Sequence, residues 1–342
     1  MPLDVPPETT TSQNEETNGG TQLRIDNYLD EGHFDRALRS DVFLGLTQTP
    51  KKLPPKWFYD DRGSELFEQI TRLPEYYPTE AERSILKTYA GEIAEASGAD
   101  TLVELGSGAA DKTRVLLDAM SAAGNLTRFV PFDVSEGILR SSSADLLNEY
   151  PGITISGVVG DFENHLRHIP LVGTKLTALL GGTVGNFHPE ARKVFIADIV
   201  AGMKPGDSFL LGTNLVKDID RLELAYDDPA GITAEFNKNV LHVLNDRVGG
   251  NFVIPNFEHY AKFDTKNEWI DIRLKSLTDQ DVHLEDLDLD IHFDEGEFLH
   301  TEISSKFRRE GVAEEVAEAG LELTNWWTDE RGDYALSLSV LK

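Results

Sequence analysis

The sequence predicts an α/β protein in which a parallel sheet carries helices on both faces and a second, smaller α+β lobe is attached to it. Three observations point there. Short apolar runs alternate with helical patterns between residues 99 and 217. A glycine-bearing turn joins the first of those runs to the helix behind it. After Lys217 the alternation gives way to helices and strands that are no longer interleaved.

Composition bounds what such a fold can do. The 342 residues, 40% of them hydrophobic, suffice for one large or two moderate cores. The absence of cysteine excludes disulfides, thiolate nucleophiles and thiolate metal sites. Sixty acidic against 32 basic residues give a formal charge of −28, which repels polynucleotides and anionic membranes. Neither nucleic acid nor a membrane is expected as a partner; a small-molecule substrate and a monomer are. Residues 1–20 are polar and lack the basic start and apolar run of a signal peptide, so a disordered tail and a cytoplasmic location are expected.

From about Leu29 to Gly98 the pattern is helical, interrupted by LPPKWFYDDRGS and by LPEYYPTEAE, where Pro74 and Pro78 bracket two tyrosines. The core alternation then runs TLVEL, DKTRVLLDAMSAAG, RFVPFDV, SEGILRSSSADLLNEY, ITISGVVGDF, LTALLGGTVGNF, PEARKVFIADIVAGMK and SFLLGTNLV. That order implies right-handed crossovers in a Rossmann-like sheet, with the ligand beyond the carboxyl ends of its strands. Beyond it, DIDRLELAYDD and ITAEFNKNVLHVLNDRVGG read as helices, EWIDIRLKSL as a strand, and DVHLEDLDLDIHF as a strand with one wet face. The tail returns to a helix over 312–319 and a last strand, YALSLSVL. The expected partition is a nucleotide-binding core of 99–217 with 301–342, and a substrate-binding domain of 21–98 with 218–300.

The first strand ends in Glu104-Leu105-Gly106-Ser107-Gly108, where glycines let a ligand approach the backbone. Asp111 stands where a dinucleotide fingerprint needs its third glycine, which disfavours a nicotinamide or flavin oxidoreductase. Asp133 ends the next strand, placed to accept hydrogen bonds from ribose hydroxyls, and Asp161-Phe162 ends the third, offering a carboxylate to an adenine amino group and a ring to its face. Lys112, in the first turn after the glycines, reaches toward a methionine carboxylate. Strand-terminal aspartates also cap helices; three successive strand ends taken together favour S-adenosylmethionine. No metal is expected: His165 and His168 stand three apart without a third ligand, and LEDLDLDIHFDEGE lacks the glycine and glutamate spacing of a calcium loop.

Through FYDDRGSELFEQITRLPEYYPTEAE, LVELGSGAADKTRVLLDAM, VPFDVSEGILR, LLGGTVGNF, LLGTNLVKD, AYDDPAGITAEFNKNVL, TEISSKF and WWTDERGDYALSL, the chain closely resembles the bacterial L-histidine Nα-methyltransferases of ergothioneine biosynthesis. Those enzymes trimethylate histidine to hercynine, and the wider family includes methyltransferases of tryptophan derivatives. The resemblance spans about residues 22–342. It implies a seven-stranded class I methyltransferase core, S-adenosylmethionine held by Gly106, Lys112, Asp133, Asp161 and Phe162, and L-histidine as substrate. It places the substrate against Tyr76, Asn186, Tyr226, Glu302 and Ser304, with Tyr59, Phe67 and Thr183 near the reacting amine and Tyr59 and Tyr76 as the candidate catalytic pair.

Those residue types suit the chemistry. Asn186 and Tyr226 can hydrogen-bond an amino-acid carboxylate, and Glu302 with Ser304, two apart on a strand-like TEIS, can face both imidazole nitrogens. Aromatic faces at Tyr59, Phe67 and Tyr76 can each stabilise a developing ammonium by roughly 0.5–2 kcal/mol. One departure is Ile272, where the family carries a methionine on the imidazole-facing strand, so an indole amine is the alternative substrate. A non-catalytic cofactor binder is the alternative from another class.

Overall fold

The computed structural model describes residues 11–15 and 22–342. Strands β1 (Thr11–Glu15) and β2 (Leu23–Asn27) lead into helices α1 (His33–Thr47), α2 (Asp61–Ile70) and α3 (Pro78–Ser97). The alternating region follows: β3 (Thr101–Leu105), α4 (Thr113–Ala122), β4 (Arg128–Asp133), α5 (Glu136–Glu149), β5 (Thr154–Val159), β6 (Lys175–Leu179), α6 (Pro189–Ala201) and β7 (Ser208–Asn214). Next come α7 (Ile219–Leu224), α8 (Ile232–Arg247) and five strands, β8 (Phe257–Asp264), β9 (Trp269–Ser276), β10 (Gln280–Leu284), β11 (Leu289–Phe293) and β12 (Phe298–Ser305). The chain closes with α9 (Arg309–Glu318), β13 (Leu321–Thr328) and β14 (Tyr334–Leu341).

The main sheet has nine strands in the order β1-β2-β5-β4-β3-β6-β7-β14-β13. Strands β2 to β7 pair in parallel, while β14 runs antiparallel between β7 and β13. Both faces are covered, so the central parallel strands β3, β6 and β7 are buried throughout rather than on alternate residues. Leu102 and Phe129 pack with Ile85, Leu86, Leu116 and Met120 of α3 and α4, while their neighbours Val103 and Val130 pack with Phe195, Ile199 and Val312 of α6 and α9. Seven strands, β5 to β13, are the expected core; β1 and β2 extend it at one edge.

A second core lies in the other lobe. Leu38 and Val42 of α1, Ile70 of α2 and Val240, Leu241 and Leu244 of α8 pack on Phe257, Leu274, Val282, Phe293 and Leu299. Full burial of each such aliphatic side chain is worth about 1.5–3 kcal/mol. This lobe is built on the antiparallel sheet β12-β9-β8 and the hairpin β10-β11.

Several expectations need correction. Of the tail expected to be disordered, residues 1–10 and 16–20 lie outside the described residues, but Thr11–Glu15 pairs antiparallel with β2; edge pairing satisfies backbone groups without needing apolar side chains. The expected division after residue 98 does not follow the packing, because β2 joins β5 in the main sheet and α3 packs in that sheet's core. The division at 301 cuts through β12, which pairs with β9 along its length. DVHLEDLDLDIHF is two strands, since Asp288 adopts φ +46° and lets the chain turn back on itself. Strands β8 and β13 were not foreseen.

Candidate active site

The cofactor half is assembled at the carboxyl ends of β3, β4 and β5. Gly106 takes φ +72°, the left-handed turn that carries the chain from β3 toward α4, and its N–H donates to the Phe132 carbonyl at 2.8 Å. A side chain at Gly106 would point at the Phe162 ring, 3.5 Å away. Asp133 accepts from the Gly108 N–H and the Ser135 N–H, both at 2.9 Å, so it ties the glycine turn to the start of α5. Each carboxylate oxygen retains a lone pair for a ribose hydroxyl.

At the end of β5, Asp161 accepts from the Asn164 N–H at 2.8 Å and contacts His33 Nε2 at 2.7 Å. Burial pushes its carboxyl up, but the hydrogen bonds from Asn164 and His33 and the nearby His165 ring outweigh it, leaving it below the ordinary range. Phe162 stacks on Phe132 with ring centres 5.7 Å apart. His165 and His168, weighed above as a metal pair, belong to this neighbourhood: the Asp161 N–H donates to His165 Nδ1 at 3.2 Å, and His168 stacks on Tyr28.

Lys112 caps the start of α4, and its ammonium pairs with Glu82 of α3 at 2.5 Å. Glu82 is 1% exposed and also accepts from the Gly181 N–H at 2.8 Å and the Tyr334 hydroxyl at 3.0 Å. Beside it, Glu104 is buried under α4 and hydrogen-bonded by Thr113; burial pushes its carboxyl up to about 7. A glycine turn, two carboxylates, a stacked phenylalanine and a lysine thus stand at or just beyond the carboxyl ends of β3, β4 and β5.

The acceptor half is drawn from both lobes. The one-turn helix Thr183–Asn186 after β6 lies against β12; a Cβ at Gly185 would sit 3.1 Å from the Ser305 carbonyl oxygen, so a larger residue would have to push the strand back by a few tenths of an ångström. Opposite stands an aromatic box. Tyr59 meets Phe67 edge-on at 5.6 Å, Phe67 meets Tyr76 at 6.3 Å, and Tyr76 meets Tyr226 at 6.0 Å, with Phe236 of α8 behind Tyr59 at 5.3 Å. Burial pushes the Tyr76 hydroxyl well above its ordinary value and Tyr226 up to about 12, so both remain phenols at neutral pH.

Glu302 projects from β12 toward this box. Among the described residues no group hydrogen-bonds its carboxylate, and burial pushes it up to about 8 although Lys306 pulls it down. Ile272 is its cross-strand partner on β9, is 3% exposed, and therefore shares its side of the sheet. The Tyr226 and Ser304 hydroxyls are 2.8 Å apart.

Two buried lysines that sequence reasoning missed stand behind the box. Lys306 is 4% exposed and contacts Ser304 and Tyr226. Lys217 donates to the Tyr77 hydroxyl at 2.6 Å, Asn214 Oδ1 at 2.8 Å and the Asp333 carbonyl at 2.6 Å, and burial pushes it down to about 7. Glu82, His33 and Phe236 were also missed. The strings TEISSKF and LLGTNLVKD contain both lysines, but a lone lysine in a strand-like run carries no signal of burial.

Comparison with known proteins follows the same lines. Residues 38–341 match the family model described as histidine-specific methyltransferase, SAM-dependent. The chain is 55% identical to a histidine N-alpha-methyltransferase of Mycolicibacterium smegmatis, across 93% of this chain and 99% of that protein. It is 51% identical to one of Mycobacterium tuberculosis over the same shares. An L-tryptophan methyltransferase of Psilocybe serbica is 29% identical across 87% of this chain and 91% of that protein.

Proposed function

Because the chain belongs to the histidine-specific, S-adenosylmethionine-dependent methyltransferase family, we propose that it methylates the α-amino nitrogen of L-histidine three times. The product is trimethylhistidine, hercynine, as the first step of ergothioneine biosynthesis. The observation that carries the choice of substrate is Glu302, which stands beside an aromatic box with no hydrogen-bond partner among the described residues.

S-adenosylmethionine, when bound, supplies an electrophilic methyl group on sulfur. Gly106, Asp133, Asp161, Phe162 and Lys112 hold it by backbone approach, ribose, adenine edge, adenine face and carboxylate. On the acceptor side Asn186 and Tyr226 take the α-carboxylate, and Glu302 and Ser304 take the two imidazole nitrogens. Tyr59, Phe67, Tyr76 and Thr183 surround the amine. Acceleration comes chiefly from holding nitrogen in line with the methyl carbon and sulfur. Because burial keeps Tyr76 a phenol, its oxygen accepts a hydrogen bond from the primary and then the secondary amine and aims the lone pair, the proton leaving to water between transfers; the tertiary amine of the third transfer has no N–H and is placed by the aromatic faces. Each added methyl makes the amine more cation-like, and the aromatic faces tolerate it.

A second reading, methylation of tryptophan, rests on Ile272, which sits beside Glu302 and lacks the flexible thioether of methionine. Mass spectrometry of L-histidine and L-tryptophan, each incubated with S-adenosylmethionine and either the wild-type protein or Glu302→Ala, separates the two. Trimethylhistidine from the wild type alone supports the proposal. Methylated tryptophan moves the assignment to the second reading, and no product from either substrate leaves only cofactor binding.

A further inference from the structure

Lys306 is 4% exposed, yet all three donors of its ammonium are placed: the Ser304 carbonyl at 2.8 Å, Ser304 Oγ at 2.7 Å and Tyr226 Oη at 3.2 Å. The nitrogen also lies 4.5 Å from the centre of the Tyr226 ring. With the two hydroxyl oxygens 2.8 Å apart, the three groups form a closed triangle.

Counting protons in that triangle fixes its polarity. An ammonium donates and never accepts, so neither hydroxyl proton can point at Lys306. One hydroxyl proton bridges the two oxygens, and the other must leave the triangle toward the pocket. The phenol is the more acidic hydroxyl and so the better outward donor, which leaves Ser304 donating to Tyr226. Ser304 Oγ then keeps one lone pair free. A neutral amine would reverse this, since it would accept one hydroxyl proton and draw it inward.

We propose that Lys306 is a positioning residue that makes Tyr226 a donor to the substrate α-carboxylate and Ser304 an acceptor of an imidazole N–H. The inference rests on the reading of Tyr226 and Ser304 as the contacts to those two groups. It also assigns the charge that balances the substrate carboxylate in a pocket that already holds Glu302. The charged and titratable groups around Lys306 are Glu302 on its own strand, Lys217 beyond β7, and Tyr226 beyond α7. Burial, and next Lys217, push the Lys306 amine well below its ordinary value, although Glu302 favours the ammonium. A bound carboxylate adds an anion beside the amine and favours its charged form.

The test is steady-state methylation of L-histidine and of L-histidinamide, whose neutral amide replaces the carboxylate, by the wild type, Lys306→Met and Lys306→Gln. Both variants should lose about 10- to 100-fold in kcat/KM for L-histidine, mainly through KM, since a charge-assisted network loses its charge. For L-histidinamide the loss should be under about threefold, the size of a neutral hydrogen bond. Calorimetric affinity for S-adenosylmethionine should be unchanged, which also reports that each variant is folded. Equal losses on both substrates, or lost cofactor binding in both variants, would overturn the inference by making the lysine part of the scaffold. A wild-type protein inactive on L-histidine would overturn the functional reading itself, and this inference with it.

Discussion

The two halves of the site differ in how their charges are met. On the cofactor side each acid is already partnered: Asp133 by two backbone N–H groups, Asp161 by Asn164 and His33, Glu82 by Lys112, Gly181 and Tyr334. On the acceptor side Glu302 has no hydrogen-bond partner among the described residues, and burial displaces Glu302, Lys306 and Lys217 from their ordinary ionisation. A cofactor half so partnered is organised before anything binds. The acceptor half holds its polar groups out of balance, and a ligand carrying a carboxylate and ring N–H groups restores it.

Glu302→Gln tests that contrast most strongly. Removing the charge from one side of a buried, charge-assisted hydrogen bond should cost about 3 kcal/mol, or roughly 100-fold in kcat/KM for L-histidine. Affinity for S-adenosylmethionine, measured by calorimetry, should stay the same. Comparable losses in both quantities would mean that the halves are not separate in energy.

Lys112→Met probes the other half. The cofactor dissociation constant should rise roughly tenfold, the worth of one charge-assisted hydrogen bond at a partly exposed lysine. The KM for L-histidine at saturating cofactor should not move. Because Lys112 also pairs with the nearly inaccessible Glu82, the variant should unfold at lower urea concentration as well.

The same contrast explains what was legible in the sequence. The cofactor half is local: each ligand-facing residue closes a strand within a strand-turn-helix unit, so Gly106, Asp133 and Asp161-Phe162 announce themselves by position. Tyr59, Tyr76, Asn186, Tyr226 and Glu302 come from segments separated by tens to hundreds of residues, and only their resemblance to a known family drew them together. Lys217 and Lys306 were missed because burial of a lysine depends on what packs over it, which no local pattern records. Strand β2 was missed because Leu23–Asn27 offers a single buried side chain, Ile25. The tight approach of Gly185 to β12 was equally silent, being a contact between residues over a hundred positions apart.

Stability against pH sharpens the point. Glu302, ordinarily at 4.5, is raised to about 8, so between those values the unfolded chain is ionised while the folded, ligand-free protein retains the proton. Its cost is absent below pH 4.5, grows with rising pH and is complete above about 8. Glu104, raised to about 7, acts in the same direction. Lys217, lowered from 10.5 to about 7, costs nothing above 10.5 and its full amount below about 7. Between about pH 5 and about pH 7 the Lys217 contribution is therefore nearly constant, Glu302 and Glu104 favour the acid side, and His188, His242 and His259, lowered chiefly by burial, oppose them. Urea midpoints across that interval should fall less steeply with rising pH in Glu302→Gln than in the wild type. Identical slopes would show that Glu302 is ionised in the free pocket.

The smallest expected effect falls where the contrast between the halves gives way. His33 opens α1, a helix whose Leu38, Val42 and Leu46 belong to the core of the second lobe, yet its Nε2 reaches Asp161 of the main sheet at 2.7 Å. The partner of the carboxylate proposed to face adenine thus comes from the lobe proposed to surround the acceptor. Asp161 keeps its hydrogen bonds from Asn164 when His33 is removed, so only its orientation and one bond are lost. His33→Ala should weaken S-adenosylmethionine by about three- to tenfold, the range of one net hydrogen bond, and leave KM for L-histidine at saturating cofactor unchanged. His33→Gln, which can still donate from a comparable reach, should recover most of the affinity. If instead the alanine variant raised both the cofactor dissociation constant and the histidine KM, α1 would be a mechanical link between the lobes rather than a support for one carboxylate.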